Sequence, residues 1–553
     1  MSVRLKVGLI VDDERVSRHV YELAQWATST DTVYVSHLIV QRRAPPPARR
    51  RGALAKLFAK NPAAHATVML WKAKNKIESR SVARNPAYRG HRESQDMGAV
   101  VPGRIHVTPL VSKSGFVHRF GDEDLEKIRR EEFDVLIRCG SGILKGPILT
   151  SARLGILSFH HGNNLINRGG PAGFWEVFHR QGTSGYIVQR LSEELDGGDV
   201  ILRGNVPTQR THLLNAAMLF AKSFQALRSL LLDIARTGQL PAAEPHYPYS
   251  GKLLVQPRLA ELVSYMSRQM GRSITARARR MFRYQERWGI CYAPTDWRKA
   301  VLWRGIQVKT PPGHFLADPF VATHSGRTVV FAEDYDYAVG RAHITAIELT
   351  AEGAKPLGDV VKEPFHLSFP YLFEVDGKLY MCPESRAARQ IRIYECTDFP
   401  LQWKLAAVAM NDVDAVDSMI FRKDDRWWLM TNISRNGASE CGSELHLFWS
   451  HTPLAGEWEP HARNPIVADP GVARNGGLLN GGADLYRVAQ NRQFDSYGTS
   501  AQLFRILRID PTDYLEQAVC NIQPGFSAGI SGTHHLHSNG HYSVWDFKKW
   551  ERV

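Results

Sequence analysis

Two adjacent histidines, His160 and His161, end the apolar run GILSFH and lead into a glycine-rich turn at Gly169, Gly170 and Pro171. Further on comes an acidic turn, Glu193-Glu194-Leu195-Asp196-Gly197-Gly198-Asp199, between two more apolar runs, GYIVQRL and DVILRGNVP. A strand that carries a histidine at its carboxyl end delivers it where open α/β sheets bind their ligands. A histidine and a carboxylate brought together by such loops can pass a proton during acyl transfer. An LDGG turn also serves as a plain structural bend, so the pairing alone fits both readings.

The second concentration of ionisable residues lies in a repeat. A 16-residue element recurs from Asp318, Phe369, Asp417, Asn475 and Ser531, at spacings of 51, 48, 58 and 56 residues. Each copy sets apolar residues on both sides of a short polar turn such as SG, DG, DD or NG, the pattern of a β-hairpin. Five hairpins at this period predict a five-bladed β-propeller over residues 296–553. The last column of the alignment holds Glu333, Glu384, Asn432, Gln490 and Asp546. Carboxylates converging from several blades suit glycoside hydrolysis, which needs an acid and a base flanking one bond. They also suit sugar binding, and acids in DP and DG pairs cap turns. Asp318, Glu384 and Asp417 are the candidate substrate contacts here. His534, His535, His537 and His541 invite a metal reading, but strand alternation divides them between two faces. No metal is expected.

These residues need elements to hold them. Over residues 1–245, short apolar runs such as RLKVGLIV, TVYVSHLIV and FDVLIRCG alternate with helical spacing in VSRHVYELAQWA and LLNAAMLFAKSFQALRSLLLDIAR. That alternation predicts an α/β domain with a mostly parallel sheet. A basic insertion at about 41–104 interrupts it, and residues 246–295 read as an Arg-rich helical linker. The 553 residues are 43% hydrophobic and 23% charged, which excludes a disordered or fibrous chain. No run is long and apolar enough for a membrane-spanning helix. Six scattered cysteines without a CxxC pair fit a reducing cytoplasm and argue against structural zinc.

The net charge of +15 is concentrated. Residues 41–104 carry 15 Lys/Arg against three Asp/Glu, and residues 252–287 carry nine against two. This reads as solvated loop and linker, or as peripheral contact with an anionic membrane at its inner surface. No nucleic-acid motif accompanies the charge, so no specific nucleic acid is expected. Within the insertion, ALAKLFAKNPAAHATVMLWKAKNK has the composition of a basic amphipathic helix, which Pro62 should interrupt.

The stretch from Leu154 to Val206 resembles the folate-dependent formyltransferases, which act on methionyl-tRNA, glycinamide ribonucleotide and amino sugars. That family carries Asn-x-His at a strand end, then a Ser-Leu-Leu-Pro loop with Arg-Gly, then a Leu-Asp-[Thr/Gly]-Gly turn. Here His160 matches the histidine, Arg168–Gly169 the Arg-Gly and Asp196 the aspartate. Ser158 stands in place of the asparagine, and Gly162, Asn163, Asn164 and Leu165 replace Ser-Leu-Leu-Pro. The resemblance implies a Rossmann-like formyltransferase fold with 10-formyltetrahydrofolate as donor and no metal. Catalysis would fall to His160, Asp196 and Ser158. Cys139, Gly140, Ile143, Leu144, Gly197 and Gly198 would hold the folate, and Asn163, Asn164 and Arg168 the acceptor.

The repeat half resembles five-bladed glycoside hydrolases of families 43 and 32. It is more similar still to the N-terminal domain of plant glucosamine inositol phosphorylceramide transferases, through HLSFPYLFEVDGKLYMCPES and VDSMIFRKDDRWWLMTN. Together the resemblances imply formyl transfer to the amine of a nucleotide- or lipid-linked amino sugar in glycan or cell-envelope synthesis, with the propeller holding the glycan. Two alternatives stay open: a catalytically inactive glycan-binding protein, and a propeller glycoside hydrolase with an accessory formyltransferase fold.

Overall fold

A computed structural model describes residues 4–42, 62–194, 197–434, 441–454, 456–494 and 496–552. Asp196 and the part of the basic insertion at 43–61 lie outside them. The chain divides into two compact units, Met1–Gly271 and Arg272–Val553.

The first unit is built on a seven-stranded sheet. Its parallel strands are β1 (Leu5–Val11), β2 (Val33–Gln41), β3 (Gly103–Val107), β4 (Val135–Arg138) and β5 (Ile156–His160). Antiparallel β6 (Thr183–Arg190) and β7 (Asp199–Pro207) extend it, giving the order β7-β6-β5-β4-β1-β2-β3. The central strands are apolar on both faces, as burial under helices on both sides requires. On one face Leu9, Val11 and Leu38 pack against α1 (Arg18–Thr28) and the long α5 (His212–Thr237). On the other, Ile10, Ile39 and Leu136 pack against Leu125 and Ile128 of α3 (Asp122–Arg129). Because β1 pairs with β2 on one side and β4 on the other, the order in which successive strands are added reverses between β1 and β4. The carboxyl ends flanking that point carry Asp12, Cys139 and Gly140.

Within the insertion, the described residues form the helix α2 (Pro62–Arg84) with Pro62 in its first turn, where a proline lacks only an N–H that has no helical partner anyway. The segment before Pro62, and with it the expected interruption, lies outside the described residues. One face of α2 is buried, at Lys74, Glu78 and Val82. Lys74 Nζ lies 2.5 Å from His212 Nδ1 and 3.3 Å from Glu78, and Glu78 accepts from the Tyr265 hydroxyl at 2.7 Å. A buried polar network therefore ties this basic segment to α5 and to α6 (Leu259–Met281). No helix among the described residues is long and apolar enough to cross a membrane.

The second unit is all-β. Four consecutive antiparallel sheets run over His314–Val361, Ser368–Asn411, Ala415–Pro460 and Asn475–Ile522, each with four strands in sequence order. A fifth sheet is composite: Ser543–Arg552, near the end of the chain, pairs with Tyr284–Ala293 from the start of the unit. Tyr284–Ala293 lies inside the stretch read as linker, and it is a full strand. The innermost strands of successive sheets touch one another, and the last touches the first.

Four of those inner strands skip two residues in register, at 318–319, 369–370, 417–418 and 476–477. Asp318, Phe369 and Asp417 occupy the first bulge position with φ of 48°, 46° and 49°. Such bulges re-aim a side chain. In the fourth sheet the position falls on Gly476, one residue beyond the Asn475 of the sequence alignment. A Cβ on Gly476 would stand 2.3 Å from the His534 carbonyl oxygen, which explains the glycine.

Candidate functional site

In the first unit, β5 presents His160 half-buried at the carboxyl edge of the sheet, with Nε2 3.2 Å from the Asn167 carbonyl oxygen. The loop that follows is clamped. Arg203 on β7 makes a bidentate pair with Glu244 and donates to the side-chain oxygens of Asn163 and Asn164 at 2.9 Å each. Arg168 donates to the Asn164 carbonyl and lies over the Tyr249 ring at 4.4 Å. These residues, named from sequence as acceptor contacts, thus shape the loop beside His160. Arg203 and Glu244 were not legible because their partners are distant in the chain.

Ser158 is buried on β5, and its Oγ accepts from Arg138 Nη1 at 3.3 Å. This differs from a hydroxyl aimed at the loop beside His160. His161 turns the opposite way from His160, stacks on Phe220 at 3.8 Å and meets Ser223 Oγ at 3.0 Å. Burial pushes its pKa down to about 3. Among the residues named from sequence for folate, Leu144 belongs to the core on the α3 face of the sheet and Cys139 packs against the core on the other face, burial pushing its thiol up to about 12. Ile143 is half-buried. Gly140 closes tightly over Asp12, whose carboxylate accepts from the Ser141 N–H at 3.0 Å. Gly146 N–H donates to Glu193 at 2.7 Å, joining the loop after β4 to the turn that carries Gly197 and Gly198. Leu144 is thus a core residue, and Ile143 beside it is not. A cavity of about 1110 Å³ lined by Phe133, Arg153, Gly155 and Arg190 opens at the opposite, amino-terminal edge of the parallel strands, away from His160.

A first prediction follows from the clamp. Replacing Arg203 by Met frees the Asn164 side chain, leaves Asn163 Oδ1 only the Leu165 N–H at 3.1 Å, and strips Glu244 of its guanidinium partner. The 162–168 loop should then become protease-sensitive, with hydrogen exchange there at least about tenfold faster, a loss of about 1.4 kcal/mol in local stability. Exchange in β1 and β4 should stay unchanged.

The second unit gathers more ionisable groups. Asp318 and Asp417, aimed inward by the bulges, are joined by Glu333 and Glu384 from the adjacent strands and by Asp546 from the last one. Arg474, absent from the sequence columns because it precedes its strand, meets Asp417 at 2.5 Å and Glu384 at 3.9 Å. Gln490 Nε2 adds a 3.2 Å donation to Asp417. His534 occupies the corresponding place in the fifth sheet, where the alignment had Ser531. Its Nδ1 lies 2.5 Å from Asp546, and its ring stacks on Trp288 at 4.1 Å.

Burial, reinforced by neighbouring acids, drives the carboxyls upward: Asp318 to about 7, Glu384 to about 8, and Glu333 well above its usual range. Desolvation disfavours the charged form and each added like charge disfavours it again. Asp546 moves down, because His534 and two backbone N–H groups outweigh its burial. Asp318, His534 and Asp546 bring ligand atoms within 4.8 Å of one another, the one grouping with metal-compatible spacing among the described residues. His535 Nε2 donates to the Pro319 carbonyl and His537 Nδ1 accepts from the Val321 N–H. The histidine run thus divides between the axis and the first sheet.

Residues 303–528 match a family profile described as glucosamine inositolphosphorylceramide transferase 1, N-terminal. Glucosamine inositolphosphorylceramide transferase 1 of Arabidopsis thaliana is 34% identical over 215 residues, which are 38% of this chain and 28% of that protein. The chain thus matches little more than a quarter of that curated relative. Among solved structures, the catalytic domain of a GH62 α-L-arabinofuranosidase from Coprinopsis cinerea covers 48% of this chain and 97% of its own, at 12% identity and TM-score 0.32. Glycinamide ribonucleotide transformylase 1 from Symbiobacterium toebii covers 42% of this chain and 89% of its own, at 15% identity and TM-score 0.26.

Proposed function

We propose that this chain is a transferase of glycan or glycolipid assembly. In this reading the first unit moves a formyl group from 10-formyltetrahydrofolate to the amine of an amino sugar, and the second is a five-bladed propeller that holds the carbohydrate. The observation that carries the reaction is the position of His160: half-buried at the carboxyl edge of the parallel strands, on a loop fixed by Arg203. That is where a ligand of an open α/β sheet sits. The bound folate would supply the formyl carbon, held by the backbone around Gly140, by Ile143 and by the Gly197–Gly198 turn.

His160 Nε2 donates to the Asn167 carbonyl in the resting state and would turn that donor to the oxyanion formed when the amine attacks. Asp196 would take the proton that the amine loses. Ser158 is committed to Arg138, so this reading leaves polarisation of the formyl carbonyl chiefly to His160. The carbohydrate role rests on the similarity of residues 303–528 to the plant transferase domain. It fits the closed ring of sheets around an acidic axis. The cytoplasm, with contact to a membrane surface through the basic segments, is the proposed location.

The test is calorimetric titration of the full chain with 5-formyltetrahydrofolate. Micromolar binding that Asp196→Ala weakens supports the reading. In an assay with 10-formyltetrahydrofolate and amino-sugar acceptors, His160→Ala should then lower kcat by about 10²–10³-fold, the usual effect of removing one oxyanion donor. No folate binding would leave the propeller as the functional half.

A further inference from the structure

The axis of the second unit gathers more carboxyl groups than its own cations pair with. Five carboxyl side chains converge: Asp318, Glu333, Glu384, Asp417 and Asp546. Arg474 is committed to Asp417 at 2.5 Å, and His534 to Asp546 at 2.5 Å. What remains is Asp318, Glu333 and Glu384. Asp318 is 6% exposed, and its Oδ1 has no hydrogen-bond partner among the described residues. The nearest imidazole nitrogens, on His534 and His535, stand 3.9 Å away, beyond hydrogen-bond reach. Among the described residues Glu333 has only His366 Nε2, at 3.5 Å, while Glu384 shares Arg474 at 3.9 Å and a side-chain hydrogen bond with Asp417. A buried carboxylate oxygen without a partner is costly, and a polar partner within reach recovers that cost.

The surroundings restrict what that partner is. Glu384, Arg474, Tyr497 and Trp288, which surround the acidic centre, are each half-buried. Trp288 and Tyr497 flank His534, with ring centroids 4.1 Å and 5.2 Å from it. Aromatic rings beside carboxylates suit a ligand with an apolar face and a cationic or donating group, and aromatic faces also attract cations. A neutral sugar would satisfy hydrogen bonds but would give the three carboxyls no counter-charge on which to ionise. We infer that this site recognises the ammonium group of an amino sugar, with Asp318 Oδ1, Glu333 and Glu384 as its counter-charges beside the Trp288 and Tyr497 rings.

The inference rests on the carbohydrate reading of this unit and specifies the sugar. It has a corollary for the proposed reaction. An N-formyl amide is neutral, so formylation would remove the charge that this site selects, and the product would not be retained. The upward-shifted carboxyls give a second consequence: an empty site holds protons near neutral pH, and an arriving ammonium group displaces them.

The test uses the full chain and four trisaccharides: the β-1,4 trimer of glucosamine, its N-formyl and N-acetyl derivatives, and cellotriose. Titration calorimetry at pH 7 in buffers of different ionisation enthalpy reports affinity and proton release together. The free-amine trimer should bind at least about tenfold more tightly than cellotriose, with proton release, and neither acylated trimer should exceed cellotriose. Asp318→Asn should reduce the tenfold preference to below about twofold. Glu333→Gln, on the neighbouring strand, should do the same if Asp318→Asn fails to fold. Equal binding of the amine trimer and cellotriose would overturn the ammonium site while leaving a carbohydrate site. Binding of none of the four would overturn both. A preference unchanged in both variants would place the amine elsewhere and overturn this assignment. Calcium or zinc binding that excludes the amine trimer would make the cluster a metal site instead.

Discussion

Replacing Arg474 by Met should destabilise the second unit by about 3 kcal/mol. Asp417 is 1% exposed and depends on Arg474 at 2.5 Å for its counter-charge. Breaking a buried ion pair from one side costs about 3–5 kcal/mol because the surviving charge stays buried and unpaired. The lower end applies here, since the Arg474 side chain reaches solvent and Gln490 still donates to Asp417 at 3.2 Å. Glu384, pushed up to about 8 and hydrogen-bonded to Asp417, stays beside it as a proton donor and further limits the loss. For a unit of this size the loss corresponds to a fall of about 6–9 °C in its unfolding midpoint. Arg474→Lys should recover only part, because an ammonium group cannot span Asp417 and Glu384 in the guanidinium's plane. The double variant Arg474→Met/Asp417→Asn should recover most of the loss, because it removes the stranded charge. Urea unfolding of the full chain, read on the second unit's transition, checks this. A loss below about 1 kcal/mol in the single variant would mean that Asp417 is protonated or hydrated, not ion-paired.

Arg474 also shows where sequence reading stopped. The repeat exposed the five hairpins because a period near 50 residues and polar turns between apolar runs are local signals. The columns then pointed to Asp318, Glu384 and Asp417, and the structure brings all three to the axis. Arg474 falls just outside its hairpin, so no column contained it. The one-residue slip between Asn475 and Gly476 arises from a bulge, which changes register without changing hydrophobic alternation. His534 was visible only as one of four histidines, because nothing local says which would meet Asp546. Tyr284–Ala293 was hidden by its charge: YQERWGICYA reads as the tail of an Arg-rich segment until its partner, at the far end of the unit, is known.

In the first unit, alternating apolar runs and helical spacing announced the α/β sheet, and the strand end at His160 was readable as such. The roles of its neighbours were not. Whether Ser158 faces the loop or Arg138, and whether Asn163 and Asn164 face a ligand or Arg203, depends on contacts made across 20 to 40 residues. Leu144 and Ile143 are adjacent and equally apolar, yet only Leu144 is in the core. Alternation says that they differ and leaves open which one turns inward.

The two units should respond to pH in opposite directions and in different windows. In the first, His19 and His91 lie 2.9 Å apart, and His161 is close by. Burial pushes His19 and His91 down to about 4 and His161 to about 3. Unfolded, each takes up a proton near pH 6.5. Between about pH 4 and 6.5 the unfolded state therefore binds more protons, and stability rises with pH. The slope is up to about 1.4 kcal/mol per pH unit for each histidine, with less from later ones because the three share one environment. In the second unit, Asp318, Glu333 and Glu384 hold protons when folded and release them near pH 4 when unfolded. Their contribution is complete below pH 4 and is lost as pH rises through about 7 and 8. His535 and His537, pushed by burial to about 3, oppose that trend only up to pH 6.5. Above it the carboxyls act alone, and the second unit should lose about 2–4 kcal/mol between pH 6.5 and 8.5. Differential scanning calorimetry of the full chain should show one transition rising from pH 4.5 to 6.5 and the other falling from pH 6.5 to 8.5. His91→Gln should flatten the first and Glu384→Gln the second, which assigns each transition to its unit. Two transitions that move together across both windows would mean that neither the histidine group nor the axial carboxyls carry the protonation that burial imposes on them.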